Sequence, residues 1–296
     1  MSARAVVVGV DGSEPSQQAV RWAAHEAGAR NARLVLVHAF DTERLRTSAG
    51  AQMWIDEVEA SIAAESTAML DRAMAEVERL DSGVAVETRW DRADPAEALC
   101  TASRDAALVV LGWTGRGVLG TALGSVTLAV ASHAECPVVV VRGETTRNEP
   151  RPVLVGVDGG PLSDVALAHA FDAAALHRDP LVALHTWTDA DTRRAHLSTL
   201  FEASPWQTMR EEEERALAER LAGWRERHPD VSVEPVLEQA DPRKALAERS
   251  THARLVVVAT RGRGGFTGLL LGSTGLALIQ HAGCPVMLVG PDAASP

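Results

Sequence analysis

Tyrosine is absent from the 296-residue chain, which holds only three cysteines and one lysine, Lys244. Three widely separated cysteines do not make a disulfide framework, so we expect free thiols and a reducing compartment. A single lysine outside the spacing GxxxxGK(S/T) excludes a lysine-type P-loop and leaves almost no candidate for Schiff-base chemistry.

Long apolar runs are also missing. No run approaches the roughly 18 to 20 residues that cross a bilayer, and no charged-then-apolar leader precedes the first strand-like run, so we expect a cytoplasmic protein. The net charge of -11 disfavours non-specific binding to nucleic acid or to an anionic membrane. We therefore expect no nucleic-acid partner and no membrane partner.

What is present is the composition of a globular protein, 46% apolar and 23% charged, at a length that suits two domains. The chain repeats itself at an offset of 147 residues, which becomes 148 after one extra residue in a Gly-rich loop. The aligned pairs include Gly9 and Gly156, Asp11 and Asp158, His38 and His185, Asp94 and Asp241, Gly115 and Gly262, and Ser125 and Ser273. The length of the match indicates duplication of a whole domain.

A polar stretch near Gly143 to Arg151 separates the copies, which predicts domains at 1–143 and 151–290. In each copy, short Val- and Leu-rich runs alternate with segments of helical period, which is typical of βαβ units and a parallel sheet. The predicted strands are Ala5–Val10, Leu34–Ala39, Val84–Arg89, Leu108–Gly112 and Pro137–Val141, then Val153–Val157, Leu181–Trp187, Val231–Leu237, Leu255–Ala259 and Pro285–Val289. The predicted helices of the first half are Pro15–Ala29, Met53–Leu80, Pro95–Ser103 and Ser125–Ala134, and Asp94 and Asp241 are candidate N-caps before proline.

The most specific motif is the Gly-rich loop that follows the fourth predicted strand of each copy. Its glycines allow backbone N–H groups to approach an anion, and the helix that follows supplies further donors and a favourable dipole. Ser125 and Ser273 open those helices, where they could cap the helix, donate to a phosphate, or both.

Asp11 and Asp158 directly follow the first predicted strand of their copies. If the sheet is doubly wound, these residues and the Gly-rich loop flank one crevice at the switch point, where such folds bind ligands. The alternative is that each aspartate only forms a turn before Gly12 or Gly159.

At these motifs the sequence resembles the universal stress protein family, in its tandem two-domain, ATP-binding type. The resemblance covers essentially the whole chain and is carried by VVVGVDGS from Val6, LVLVHAF from Leu34, VVLGWTGRG from Val109, CPVVVV from Cys136, and their second-half counterparts. It implies two tandem α/β domains of Rossmann-like (adenine nucleotide alpha hydrolase-like) fold, each a doubly wound, five-stranded, mostly parallel sheet. The family's ATP pattern is G-x2-G-x9-G-(S/T); the first copy has eight spacer residues and the second has Ala259 in place of the first glycine.

The resemblance also implies the nucleotide contacts. The aspartates would meet the adenine or ribose end, the backbone at Ala39 and Thr186 would face the base, and the Gly-rich loops would hold the phosphates. The residues expected to bind the nucleotide are Gly9, Asp11, Ala39, Gly112, Gly115, Arg116, Gly117, Gly124, Ser125, Val126 and Thr127, and in the second copy Gly156, Asp158, Thr186, Ala259, Arg261, Gly262, Arg263, Gly264, Gly272, Ser273 and Thr274.

The expected function is a stress-response or signalling module that binds ATP, with Mg2+, and hydrolyses it slowly at most. No repeated Ser/His/Asp or Cys/His arrangement lies at catalytic spacing, so we expect no dedicated enzyme and no catalytic residues. An adenylate-transferring enzyme, a scaffold that has lost nucleotide binding, and a binder of cyclic AMP or AMP remain as alternatives.

Other features point to structure first. His133 with Cys136, and His281 with Cys284, give only two ligands each where zinc needs three or four, so no metal site is expected. His38 and His185 suit packing or nucleotide contact. The run Glu211–Glu214 suits a solvated helix face, with Arg215 and Arg220 at pairing distance.

The last strands of the two copies are Val-rich edges, so we expect the copies to pair through them as an intramolecular pseudo-dimer. Homo-oligomerisation and the protein partners stay open.

Overall fold

The computed structural model describes residues 4–42, 55–113, 124–143, 150–187, 205–262 and 271–293. These residues form two compact units, the first built from residues up to 143 and the second from residues 150 to 291. Within the described ranges, no helix is both long enough and apolar enough to span a membrane.

The first unit alternates strands and helices along the chain. Its elements are β1 (Ala5–Gly9), α1 (Glu14–Ala29), β2 (Leu34–Ala39), α2 (Ile55–Arg79), β3 (Val86–Asp91), α3 (Pro95–Ser103), β4 (Ala106–Gly112), α4 (Ser125–His133) and β5 (Val138–Val141). The strands lie in the order β3-β2-β1-β4-β5, and all their pairings are parallel.

The second unit has the same plan. Its elements are β6 (Val153–Val157), α5 (Pro161–His177), β7 (Leu181–Trp187), α6 (Pro205–Arg227), β8 (Val233–Gln239), α7 (Pro242–Ser250), β9 (Leu255–Ala259), α8 (Ser273–His281) and β10 (Val286–Val289). The order β8-β7-β6-β9-β10 is again entirely parallel. The predicted pair of doubly wound, five-stranded α/β units is confirmed.

The central strands are buried on both faces because helices cover both. In the first unit α1 packs against α2, while α3 packs against α4. The central strands β1 and β4 are therefore almost wholly apolar, and Val6, Val8, Val109 and Val110 have no exposed surface. This continuous burial explains why these strands appear in the sequence as unbroken apolar runs without alternation.

The edge strands begin and end later than the sequence suggests. β3 was predicted at Val84–Arg89 and β8 at Val231–Leu237, but both are displaced by two residues towards the C-terminus. Pairing with the neighbouring strand sets these limits, since Ala39 of β2 is still paired with Asp91. β3 is half-buried or exposed along its length, so hydrophobicity marks its ends poorly.

The predicted N-caps of α3 and α7 are confirmed. Asp94 Oδ1 accepts hydrogen bonds from the backbone N–H groups of Ala96 (2.9 Å) and Glu97 (3.3 Å), and Asp241 accepts one from the N–H of Arg243 (2.9 Å). The Arg243 guanidinium also binds the Asp241 carboxylate and lowers its pKa to about 2. These two ions are well exposed, so the cap hydrogen bonds stabilise the helix start more than the ion pair does.

The substitution Asp94→Ala tests the cap of α3. We expect the free energy of unfolding, measured by urea denaturation, to fall by about 1 kcal/mol because two backbone donors lose their acceptor. Asp94→Asn keeps a side-chain oxygen and is the control, for which we expect a much smaller loss. Equal losses in the two variants would show that the charge of Asp94, and not its cap hydrogen bonds, stabilises the helix.

Candidate functional site

The turn after β1 is organised by Asp11. Its Oδ1 accepts hydrogen bonds from the backbone N–H (2.9 Å) and the hydroxyl (2.6 Å) of Ser13, while Gly12 between them has a φ of +76°. The Ser16 hydroxyl accepts from the N–H of Asp11 (3.2 Å) and donates to the carbonyl of Gly9 (3.3 Å). The turn thus joins the end of β1 to the first turn of α1.

Asp158 organises the same turn after β6. Its Oδ1 accepts from the N–H of Gly160 (2.8 Å) and the hydroxyl of Ser163 (2.7 Å), and Gly159 has a φ of +77°. In both units the aspartate is therefore a turn former, which was the structural alternative considered for it. The hydrogen bonds of the turn described above are accepted by Oδ1 of the aspartate in each unit.

The other carboxylate oxygen of Asp158 faces the loop that follows β9. A Cβ added to Gly262 would lie 2.8 Å from Asp158 Oδ2, so a larger residue at 262 would collide with the carboxylate. In the second unit the structure thus brings the end of the first strand and the start of the Gly-rich loop together at the switch point of the sheet.

The first-unit counterpart of this contact involves Gly115, which lies outside the described residues. So do Arg116 and Gly117 in the first loop and Arg263 and Gly264 in the second. Arg261, in contrast, is described and exposed just before Gly262.

Gly112 ends β4, and its contacts explain why it is glycine. A Cβ at this position would lie 2.7 Å from the carbonyl carbon and 2.9 Å from the Cβ of Pro15, in the first turn of α1. Backbone atoms cannot move aside as a flexible side chain can. The first glycine of the motif is therefore required by helix packing in this unit, whatever it does for a ligand. The second unit carries a methyl group at the equivalent Ala259, which is half-buried.

Gly9 and Gly156 also have packing reasons. A Cβ on Gly9 would lie 2.7 Å from Leu111 and 3.3 Å from Leu99 of α3, and one on Gly156 would lie about 3 Å from Leu246 and Val258. These glycines let α3 and α7 approach the sheet closely. Their assignment as nucleotide contacts rests on the family resemblance alone.

The helices that follow the Gly-rich loops begin with glycine N-caps. Gly124 and Gly272 have extended backbones and occupy the N-cap positions, and neither helix has a side-chain cap hydrogen bond. The suggestion that Ser125 and Ser273 cap these helices is wrong, because each is the first helical residue, the preceding glycine holds the N-cap position, and no side-chain cap hydrogen bond is formed. The backbone N–H groups that open each helix have no partner within the helix.

The helix start in the first unit is tied to the end of β4. The buried Thr127 hydroxyl donates to the carbonyl of Gly112 (3.1 Å). In the second unit the N–H of Gly272 donates to the carbonyl of Thr260 (2.7 Å). Val126 and Thr274, the remaining candidates here, are half-buried. Both units thus hold the N-terminus of a helix against the carboxyl end of the fourth strand.

Ala39 and Thr186 were predicted to face the base. Ala39 is the last residue of β2 and Thr186 the last but one of β7, and both are half-buried. The preceding histidines fix these strand ends to the first strand. Nδ1 of His38 donates to the carbonyl of Val10, and Nδ1 of His185 donates to that of Val157, both at 2.6 Å. This contact assigns the histidines a structural role and directs the two strand ends to the same edge of the sheet.

Comparison with protein-family models identifies the family of the chain. The family model described as Universal stress protein family matches residues 3–142 and again residues 149–290. The chain belongs to the universal stress protein family. The prediction from the sequence, two tandem domains of this family, is confirmed.

Relatives of the same length are known. A universal stress protein from Mycolicibacterium smegmatis is 40% identical over 290 residues, which cover 97% of each chain. A universal stress protein from Mycobacterium tuberculosis (strain ATCC 25618 / H37Rv) is 38% identical over 299 residues, covering 97% of this chain and 96% of that protein. The crystal structure of a universal stress protein from Archaeoglobus fulgidus covers 98% of this chain with a TM-score of 0.68 at 19% identity, which shows a shared fold.

Two polar residues of this universal stress protein make contacts that the sequence did not predict. Glu213 lies within the acidic run that was expected to be solvated, but its Oε2 is 2.9 Å from Nε2 of the buried His185. Arg220 was expected to pair within the run, but instead donates to the carbonyls of Gly159 and Gly160. The sequence signal for both contacts is helical spacing, because residues 213 and 220 share the face of α6 that carries the buried Leu217.

The histidine and cysteine pairs near the last strands have local partners. His133 binds the carbonyl of Ala129 (2.8 Å), and burial raises the pKa of the Cys136 and Cys284 thiols to about 12. Among the residues that the structure describes, no cluster of three or more His, Cys, Asp or Glu side chains is placed to hold a metal ion.

The substitution Gly112→Ala tests the packing role of the motif's first glycine. We expect it to lower the free energy of unfolding by about 1–3 kcal/mol, because the new methyl group meets the backbone of Pro15. The reciprocal control, Ala259→Gly, should cost only about 0.4–1 kcal/mol through the greater entropy of the unfolded chain. Urea denaturation of both variants measures the difference, and a neutral Gly112→Ala would contradict the packing explanation.

Proposed function

We propose that each unit binds an adenine nucleotide, ATP with Mg2+, in the crevice between the end of its first strand and the loop after its fourth. The observation that carries the proposal is the approach of Gly262 to the Asp158 carboxylate, with the uncapped N-terminus of α8 following the same loop. This arrangement joins a carboxylate for the ribose or base end to glycine N–H groups and a helix dipole for phosphates.

The roles of the individual residues follow from their places. Asp11 and Asp158 would contact the base or ribose end, with the backbone of Ala39 and Thr186 nearby. The described glycines of the loops and helix starts, with Ser125 and Ser273, would donate to the phosphates. The same assignment for Gly115, Arg116, Gly117, Arg263 and Gly264 rests on sequence alone, as do the domain limits of 1–143 and 151–290.

The protein would act as a nucleotide-dependent stress-response module of the cytoplasm, binding protein partners that are still unknown. Its three cysteines are free, which fits a protein of a reducing compartment. The exposed serines at the helix starts and the turn-forming aspartates give binding groups, whereas no group in the described part of either unit would position a water molecule for attack on a phosphate.

Nucleotide binding is tested by identifying the small molecules released when the purified protein is denatured, and then by ATP titration. We expect two sites in the wild type. Gly262→Glu should leave one, because its carboxylate would repel both the phosphates and Asp158, and adding Gly115→Glu should leave none. Gly223→Glu is the matched control, since it adds the same charge at an exposed position of α6.

Each result of this titration has a defined meaning. Selective binding of cyclic AMP or AMP would change the ligand but keep the crevice. A wild type that binds none of the three nucleotides, or a Gly262→Glu variant that still binds two, would contradict the proposal and favour a scaffold.

Hydrolysis provides a separate prediction. Because the described residues of each unit supply no group that positions a water molecule, we expect ADP to be released at a rate on the order of 10⁻³ s⁻¹ or slower. Single-turnover assays with radiolabelled ATP measure this rate. A rate near 1 s⁻¹ would identify an ATPase and contradict the proposal of a binding module.

A further inference from the structure

The first unit contains a groove between α1 and α2, at the carboxyl end of β1, with a volume of about 480 Å3. Gly12 of the turn, Gln17 of α1 and Ala73 of α2 line it, and the apolar walls include Val20 and Met69. The lining residues come from the β1–α1 segment and from α2, whereas the proposed nucleotide crevice lies between the ends of β1 and β4. The groove therefore adjoins the proposed crevice at the turn after β1 and extends from there between the two helices.

The second unit places an arginine at the corresponding point. Arg220 of α6 donates from Nη1 to the carbonyl of Gly160 and from Nη2 to the carbonyl of Gly159, both at 2.9 Å. Its Nη1 also lies 3.4 Å from Oδ1 of Asp164 in α5. One guanidinium thus binds the turn after β6 and the first turns of the neighbouring helix.

The repeat identifies the matching atoms in the first unit. At the offset of 147 residues, the counterparts of Gly159, Gly160, Asp164 and Arg220 are Gly12, Ser13, Gln17 and Ala73. The offset holds within the helices, since Leu70 and Leu217 both face the core with 5% exposure. Three of the four counterparts line the groove, so it occupies the space that the Arg220 side chain fills in the second unit.

The two turns also have the same shape. The φ values of Gly12 and Gly159 are +76° and +77°, and each is preceded by an aspartate whose N–H donates to a serine hydroxyl of the following helix, at 3.2 and 3.1 Å. The carbonyls of Gly12 and Ser13 therefore point as those of Gly159 and Gly160 do, and they offer the same pair of acceptors.

The charged residues that line the groove are Arg72, Glu76 and Arg79, and Gln17 stands where the second unit has Asp164, so the acceptors left for a ligand are neutral. Glu76 is paired with Arg21 (3.2 Å) and with Arg79, while Arg72 is exposed, so that solvent screens its charge. At the centre, where Ala73 stands, the acceptors are backbone carbonyls, and a guanidinium satisfies two carbonyls at once through its fixed fork of donors.

We propose that this groove binds a guanidinium group carried on a short aliphatic chain. The guanidinium donates to the carbonyls of Gly12 and Ser13, and the methylene groups pack against Val20 and Met69. The source is a small guanidino compound or an arginine side chain of a partner protein. The proposal does not depend on nucleotide binding, because no residue of the phosphate loops takes part.

Isothermal titration of the full chain with agmatine tests the proposal. We expect one site in the wild type, none in Ala73→Arg, whose own side chain fills the groove, and two in Arg220→Ala, which opens the equivalent space in the second unit. The control Ala64→Arg adds the same side chain at an exposed position of α2 outside the groove and should bind as the wild type does. Putrescine has no guanidinium, so its affinity should be lower by a factor of about ten or more.

A second titration with the peptide Gly-Arg-Gly distinguishes the sources. Tighter binding of the peptide indicates a protein partner, and tighter binding of agmatine indicates a small molecule. The proposal is overturned if the wild type binds neither probe, if Ala73→Arg binds with unchanged affinity, or if Arg220→Ala keeps the wild-type number of sites. Ala73→Arg and Arg220→Ala test the proposal independently of each other. Circular dichroism checks that each variant is folded.

Discussion

The parallel pairing of the first and fourth strands in each unit is the constraint on which the site depends. Parallel neighbours end at the same edge of the sheet, so the turn after β6 and the loop after β9 must approach each other. The result is visible at Gly262, where a side chain would collide with Asp158. Crossover helices then cover both faces of the sheet and bury its central strands. The topology thus favours the carboxyl ends of these strands as the place of the proposed binding site.

Duplication has kept this geometry while changing the residues that support it. Both turns use a glycine in the left-handed region and a buried serine, Ser16 or Ser163, to join strand and helix. The groove between the first two helices differs more. The first unit ties its helices together through the Arg21–Glu76 ion pair, whereas the second uses Arg220 against the turn carbonyls. The two copies of one domain therefore keep the same turn after the first strand but differ in the groove beside it.

Much of the fold could be predicted from the sequence, because the relevant signals are local. Buried strands such as Leu34–Ala39 are unbroken apolar runs, and Asp94 before Pro95 marks a helix start. The edge strands were displaced by two residues because pairing with β2 or β7, and not their own hydrophobicity, sets their ends. At the site, the sequence located the motif but could not separate packing from binding. Gly112 is glycine because Pro15 lies against it, and Asp11 holds a turn; both facts depend on tertiary contacts. Glu213 and Arg220 were missed for the same reason, since a charged run gives no indication of which member faces the protein.

The most direct test of the central claim, that each unit binds its nucleotide at this edge, is hydrogen exchange measured by mass spectrometry with and without ATP. The account predicts slower exchange at residues 9–13 and 124–127 in the first unit and at residues 156–160 and 272–274 in the second, with little change in the edge strands β3 and β8. Protection confined to other parts of the chain, or no protection at saturating ATP, would contradict it.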